Sequence, residues 1–179
     1  MDMHRKIAIF VGILILLAYA LLGSNNPNEK AFGMVLEIIS AVAVLSIAIL
    51  MYPLFMLYNK ELARWYFGLK WIEALMLVIT GILFYIHTPE LLTLRENIYS
   101  VHTYVFVVSA LMFYYMLYKL QLIPKWLSLW GMIATLLLMI VNLLEMNGLI
   151  SQLPLLYLPI VLNEVILALW LIFKGFNDE

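Results

Sequence analysis

A chain of 179 residues that is 66% hydrophobic and only 12% charged carries more apolar surface than one soluble core of this size can hide. Its mean hydropathy of +1.03 makes lipid the solvent for much of it. A net charge of −1 gives no overall pull toward nucleic acid. The absence of cysteine removes disulfides, thiolate metal sites, iron–sulfur clusters and cysteine nucleophiles together. With His4, His87 and His102 the only histidines, a histidine-rich metal site is not expected.

A helix that crosses a bilayer needs about 20 mostly apolar residues. Lipid offers no partner to a stray backbone N–H or C=O, which selects helices over open strands. Six runs qualify: 7–23, 32–58, 64–87, 97–120, 126–147 and 154–174. The predicted fold class is all-α, a polytopic bundle of six transmembrane helices forming one domain. In the first run, Arg5 and Lys6 precede the apolar stretch and Ala18-Tyr19-Ala20 follows it, a layout shared with secretory signal peptides; it is read here as a retained span. The breaks carry turn chemistry: Gly23 to Asn28, Asn59-Lys60-Glu61, His87-Thr88-Pro89-Glu90, Ile123-Pro124-Lys125, and Gly148 to Pro154. The loops are too short for a soluble domain, and no repeat is evident.

Six spans put both termini on one side. That side would hold Arg5, Lys6, Lys60, Arg64, Lys119, Lys125 and Lys174, against Lys30 and Arg95 on the other. Lysine and arginine collect in short cytoplasmic loops, so both termini are expected in the cytoplasm of a multi-pass cell-membrane protein. Trp65, Trp126, Trp130 and Trp170, with Tyr58, Tyr66 and Tyr118, lie near those ends and read as an interfacial aromatic belt.

Inside the spans stand Glu37, Lys70, Glu73, His102, Glu145 and Glu164, with Asn142 and Asn163. Such groups cost about 2.5–3.5 kcal/mol at a helix centre and mark function by default. Their spacing is ordered. Lys70, Glu73, Leu77, Thr80, Phe84 and His87 follow one another at alternating steps of three and four. So do Tyr99, His102, Phe106, Ser109, Phe113 and Met116, and so do Ser128, Gly131, Thr135, Leu138, Asn142 and Glu145. A period near 3.5 keeps one seam against neighbouring helices. The polar seams are therefore expected to face inward together, with Leu, Ile, Val and Met toward lipid.

Depth follows from the rise per residue. Glu37, Tyr99, His102, Asn142 and Glu145 are expected in the outer third, Glu73, Asn163 and Glu164 near the middle, and Lys70 nearer the cytoplasm. This describes an acidic pocket or half-channel open to the outside. Simpler roles compete with this. Lys70 and Glu73, three apart, can neutralise each other, and Lys70 can snorkel. Glu145 is read as interfacial and His87 as a solvated helix end. Pro159 frees the carbonyl of Leu155, either as a kink beside Asn163 and Glu164 or as a proline of the first turn.

Two stretches carry a family resemblance. One is Tyr118-Lys-Leu-Gln-Leu-Ile-Pro-Lys-Trp-Leu-Ser-Leu-Trp-Gly131. The other is the closing Asn163-Glu-Val-Ile-Leu-Ala-Leu-Trp-Leu-Ile-Phe-Lys-Gly-Phe176. Together they resemble the bacterial and archaeal membrane-protein family known as domain of unknown function 4386. Upstream, Glu73 in Lys-Trp-Ile-Glu-Ala and His102 match weaker family positions. The pattern departs after His102, where many members carry aspartate and this chain has Thr103, so no histidine–aspartate pair is implied. The resemblance implies six spans and points to Glu73, His102 and Glu164 without assigning them roles.

The leading expectation is binding or transport of a small molecule, proton or cation. Burial in low dielectric favours the neutral form of a carboxyl, which suits proton exchange. Lys70, Tyr99 and Glu145 would be secondary contributors. A lipid-modifying enzyme would need His102 with Glu37 or Glu73 as acid and base. Membrane hydrolases of the ceramidase type use several histidines with aspartate, whereas Asp2 and Asp178 are the only aspartates here and both are terminal. No phosphate loop, zinc helix motif or nucleophile elbow occurs. A haem held by His87 and His102 and a purely structural role complete the alternatives. The cofactor is left unknown; the partners considered are the lipid bilayer and a small-molecule or lipid ligand, and no nucleic acid is expected.

Overall fold

Two helix starts in this chain are set by short polar side chains that accept from free N–H groups. The computed structural model describes residues 3–20, 26, 28–151 and 154–177. Over these it forms α1 (Met3–Ala18), α2 (Lys30–Tyr58), α3 (Lys60–Ile86), α4 (Pro89–Lys119), α5 (Lys125–Met146), a 3₁₀ turn (Pro154–Tyr157) and α6 (Leu158–Phe173). Asn59 Oδ1 accepts from the Leu62 N–H at 3.0 Å to start α3. Thr88 Oγ1 accepts from Leu91 N–H at the start of α4, with Pro89 in the first turn, where its missing N–H costs nothing. His87 ends α3 in the left-handed region at φ 63°, a conformation histidine adopts more readily than most side chains.

Consecutive helices run antiparallel and each packs on its neighbours in sequence; α1 also packs on α6 and closes a ring of six. Tyr52 meets Phe67 across α2 and α3, and Glu73 meets Ser109 across α3 and α4. Asn163 reaches the carbonyl of Leu127 across α6 and α5. One end of the ring, here the Arg5 end, is latched. Arg5 Nη2 donates to the carbonyls of Ile172 at 2.9 Å and Phe173 at 2.8 Å, where the C-terminal dipole of α6 favours a cation. Asn177 donates from its backbone to Leu122 O and from its side chain to Gln121 O, both at 2.8 Å. Gly12 passes so close to the backbone of α6 that a Cβ there would overlap the Ala168 carbonyl and Ile172.

The ring is polar inside and apolar outside. Phe10, Val42, Ile49, Ile79, Val101 and Ile133 are exposed, while Glu37, Lys70, Glu73, Thr80, Arg95 and Asn163 are buried. Among the described residues five helices are long and apolar enough to cross a membrane, the last counted from Leu155. Six were expected. The described part of α1 has 16 residues, about 24 Å of helix against a hydrocarbon core of about 30 Å. Residues 21–23 of that expected span, most of the 23–28 loop, and Asp2 and Asp178 lie outside the described residues. Ala8, Val11 and Gly12 are buried, so α1 belongs to the bundle.

Two expectations need correction. The fourth helix begins at Pro89, not near 97, because Thr88-Pro89-Glu90 is a helix start rather than a loop. Tyr66 is fully buried, not part of an interfacial belt, because it lies one turn before Lys70 on the inward stripe of α3. Of the two readings of Pro159, the proline of the first turn is the one observed; Pro53 lies inside the continuous α2.

Candidate functional site

The stripe of α3 sends Tyr66, Lys70 and Glu73 toward the ring axis, where they meet α1, α2, α4 and α6 around a cavity of about 60 Å³. Lys70 Nζ donates to both carboxylate oxygens of Glu73, at 3.1 and 2.9 Å. The ammonium also lies 5.4 Å from the Phe106 ring centre and 6.0 Å from that of Tyr66, a favourable setting for a desolvated cation. Ser109 Oγ lies 3.0 Å from Glu73 Oε2 and 2.9 Å from Phe106 O, so its one proton serves either. From α6, Glu164 lines the same cavity and accepts a 2.6 Å hydrogen bond from the Tyr19 hydroxyl. Tyr66 and Tyr114 also line it. Both are buried, and neither hydroxyl has a partner among the described residues.

A second polar group lies toward the other end of the ring, the Arg95 end. Arg95 Nη2 donates to Glu37 Oε1 at 2.5 Å, and Thr80 Oγ1 donates to Glu37 Oε2 at 2.5 Å. The guanidinium is sandwiched by Phe84 and Tyr99, 4.7 Å from each ring centre. Glu37 and Thr80 are fully buried. Three helices are stapled at this point: α2, α3 and α4.

The remaining candidates divide. His102 turns its ring edge to Tyr99, 6.0 Å between centres. Its Nε2 is buried with no partner among the described residues, within electrostatic reach of Glu73, Lys70 and Glu37. Asn142 and Glu145 line a cleft of about 550 Å³ with Tyr99, Thr103 and Tyr157. Tyr157 donates to Glu145 Oε2 at 2.5 Å. Asn163 is fully buried against α5, away from the cavity lining, so it clamps α6 rather than extending the acidic seam.

The haem reading fails on length. His87 caps α3 with Nδ1 3.3 Å from the Phe84 carbonyl, whereas His102 lies 13 residues into the continuous α4. That separates the two by about 20 Å along the bundle, too far to ligate one iron from opposite faces. Among the described residues no three His, Asp or Glu side chains converge as metal ligands.

Arg95, Tyr66, Tyr114, Tyr19 and Ser109 were not among the candidates. Three were within reach of the spacing: Ser109 stands on the stripe of α4 itself, one step of four back from Tyr99 gives Arg95, and one step of four back from Lys70 gives Tyr66. Tyr19 could not be found this way, because its partner lies 145 residues away.

An apolar shell around paired charges and buried carboxylates defines a helical membrane protein whose polar chemistry is internal. The chain belongs to the family described as domain of unknown function 4386, whose model matches residues 85–175, the length of α4 to α6. Neither a curated protein nor a solved structure gives a match. The matched part contains His102, Glu164 and Arg95; Glu37, Lys70 and Glu73 lie before it.

Proposed function

We propose that this protein crosses the cell membrane six times and binds and exchanges protons at its central cavity. Glu164 is the group that takes up and releases the proton; Lys70 and Glu73 are the charges that bias it. The observation that carries this reading is the cavity itself: Glu164, an ion pair and two unpartnered tyrosine hydroxyls share about 60 Å³. Buried hydroxyls without protein partners ask for water, and the volume suits a few waters. Organic ligands take about 300–1,000 Å³, and Lys70 opposes a metal cation. Glu164 is within electrostatic reach of Lys70 and Glu73, so its proton responds to their state. His102, near Glu73 and next to the large cleft, is the relay toward the Arg95 end.

Both termini are cytoplasmic in this proposal. Arg5, Lys6, Lys60, Arg64, Lys119, Lys125 and Lys174 share the Arg5 end, and with Arg95 inside α4 only Lys30 opposes them. Catalysis on a lipid has less support, since Glu37 and Glu73 are each held by a cation and neither is free to serve as base for His102.

The test is proton flux into liposomes that contain the protein and a pH-sensitive dye. Wild type is expected to collapse an imposed pH gradient faster than empty liposomes, and Glu164→Gln to return the rate to background while keeping the fold. Equal rates for wild type, variant and empty vesicles would end this reading.

A further inference from the structure

The cleft at the Arg95 end is built from α4, α5 and the turn before α6, and it has the size of an organic-ligand site at about 550 Å³. Its hydrogen-bonding character is one-sided. Ser100 Oγ donates to Glu96 O at 3.1 Å and Thr103 Oγ1 to Tyr99 O at 3.0 Å. Asn142 Nδ2 donates to Leu138 O at 2.9 Å, the Tyr157 hydroxyl to Glu145, and the Tyr104 hydroxyl to Met146 Sδ at 3.6 Å. Each of these side chains has committed a proton inside the protein and keeps lone pairs for the cleft. Asn97, exposed at the rim, and the second Nδ2–H of Asn142 are the exceptions.

Two carboxylates add charge to this surface. Glu145 Oε1 is buried and has no partner among the described residues, and Glu96 stands one turn before Ser100. No lysine or arginine is among the described residues that line the cleft. Arg95 lies behind Tyr99, its charge matched by Glu37. The rings of Tyr99, Tyr104 and Tyr157 supply the apolar and π-rich walls that favour a cation.

We infer that this cleft binds an organic ammonium group, its N–H donors directed to Glu145 Oε1 and the Asn142 carbonyl oxygen. The group is either a free amine or the ethanolamine headgroup of a lipid from the adjoining leaflet. The site shares no residue with the central cavity, so it stands or falls apart from proton exchange.

The experiment uses the full chain in nanodiscs of phosphatidylcholine. Binding of 2-phenylethylammonium and of its uncharged analogue 2-phenylethanol is measured by calorimetry. Wild type is expected to bind the ammonium saturably and the alcohol at least about tenfold more weakly, the factor set by one ionic contact of about 1.4 kcal/mol. Glu145→Gln and Glu96→Gln should each weaken ammonium binding; Glu96 is exposed, so that variant reports even if Glu145→Gln misfolds. Native mass spectrometry from nanodiscs containing phosphatidylethanolamine separates the sources. Retained phosphatidylethanolamine, displaced by the amine and lost in Glu145→Gln, assigns the lipid headgroup; amine binding without lipid retention assigns a free amine. No saturable binding, equal binding of the alcohol, or affinity unchanged in both variants would overturn the proposal.

Discussion

Two buried ion pairs, Glu37–Arg95 and Lys70–Glu73, share the inward side of one bundle and have different surroundings. Both carboxylate oxygens of Glu37 are engaged, by an arginine and a threonine from two other helices, and aromatic rings close over the cation. Lys70 and Glu73 come from the same helix, three residues apart, and border a cavity with unpartnered hydroxyls. The first group spends its charges on joining helices. The second leaves polar capacity over beside a space that water can fill, which is what the proposed proton exchange requires.

Substitutions can break or sharpen this contrast. The largest effect is expected for Arg95→Met, which leaves the fully buried Glu37 without its cation. Loss of one partner of a buried pair costs about 3–5 kcal/mol, read as a lowered unfolding midpoint in detergent; the double variant with Glu37→Gln should recover most of it. Next comes Gly131→Ala. A Cβ there would run into the Tyr114 ring, and overpacking of this kind costs about 1–3 kcal/mol; proton flux should fall with stability as Tyr114 is pushed into the cavity. Lys70→Met should cost less than Arg95→Met, about 1–2 kcal/mol, because Glu73 keeps Ser109 and cavity water; if Lys70→Met proved the more damaging, the contrast would be inverted. The smallest change in stability is expected for Tyr66→Phe, within about 0.5 kcal/mol, since its hydroxyl has no partner to lose. Its effect should fall on flux, and an unchanged rate would remove Tyr66 from the proton path.

The inward stripes were legible because alternating steps of three and four name one helix face. They identified Lys70, Glu73, Thr80, Ser109 and Thr135 as neighbours of other helices, and all five are buried. What spacing within a helix cannot express is which helix stands opposite. Asn163 and Glu164 are adjacent in sequence, yet one faces the backbone of α5 and the other the cavity with Tyr19. Arg95 was lost when Thr88-Pro89-Glu90 was read as a turn, which started the span at 97, two residues past the stripe's own continuation. The stretches that carry the family resemblance also read differently in three dimensions. Leu122 and Leu127 contribute carbonyls that hold Asn177 and Asn163, and Gly131 makes room for Tyr114. Much of that signature builds the scaffold, with Glu164 and Leu167 lining the cavity.

The α1–α6 seam bears on the order in which the protein is made. α1 leaves the ribosome before α2 to α6, but Arg5, Gly12 and Tyr19 find their partners only in α6 and the residues at its end. Local contacts along α2 to α5 can form as each hairpin emerges, whereas closure of the ring waits for translation through Phe173. Until then Tyr19 has no glutamate to bond and the cavity has no wall on the α6 side. The site is therefore a product of the final step of assembly, and a chain stopped before α6 would retain its two ion pairs without the chamber between the helices.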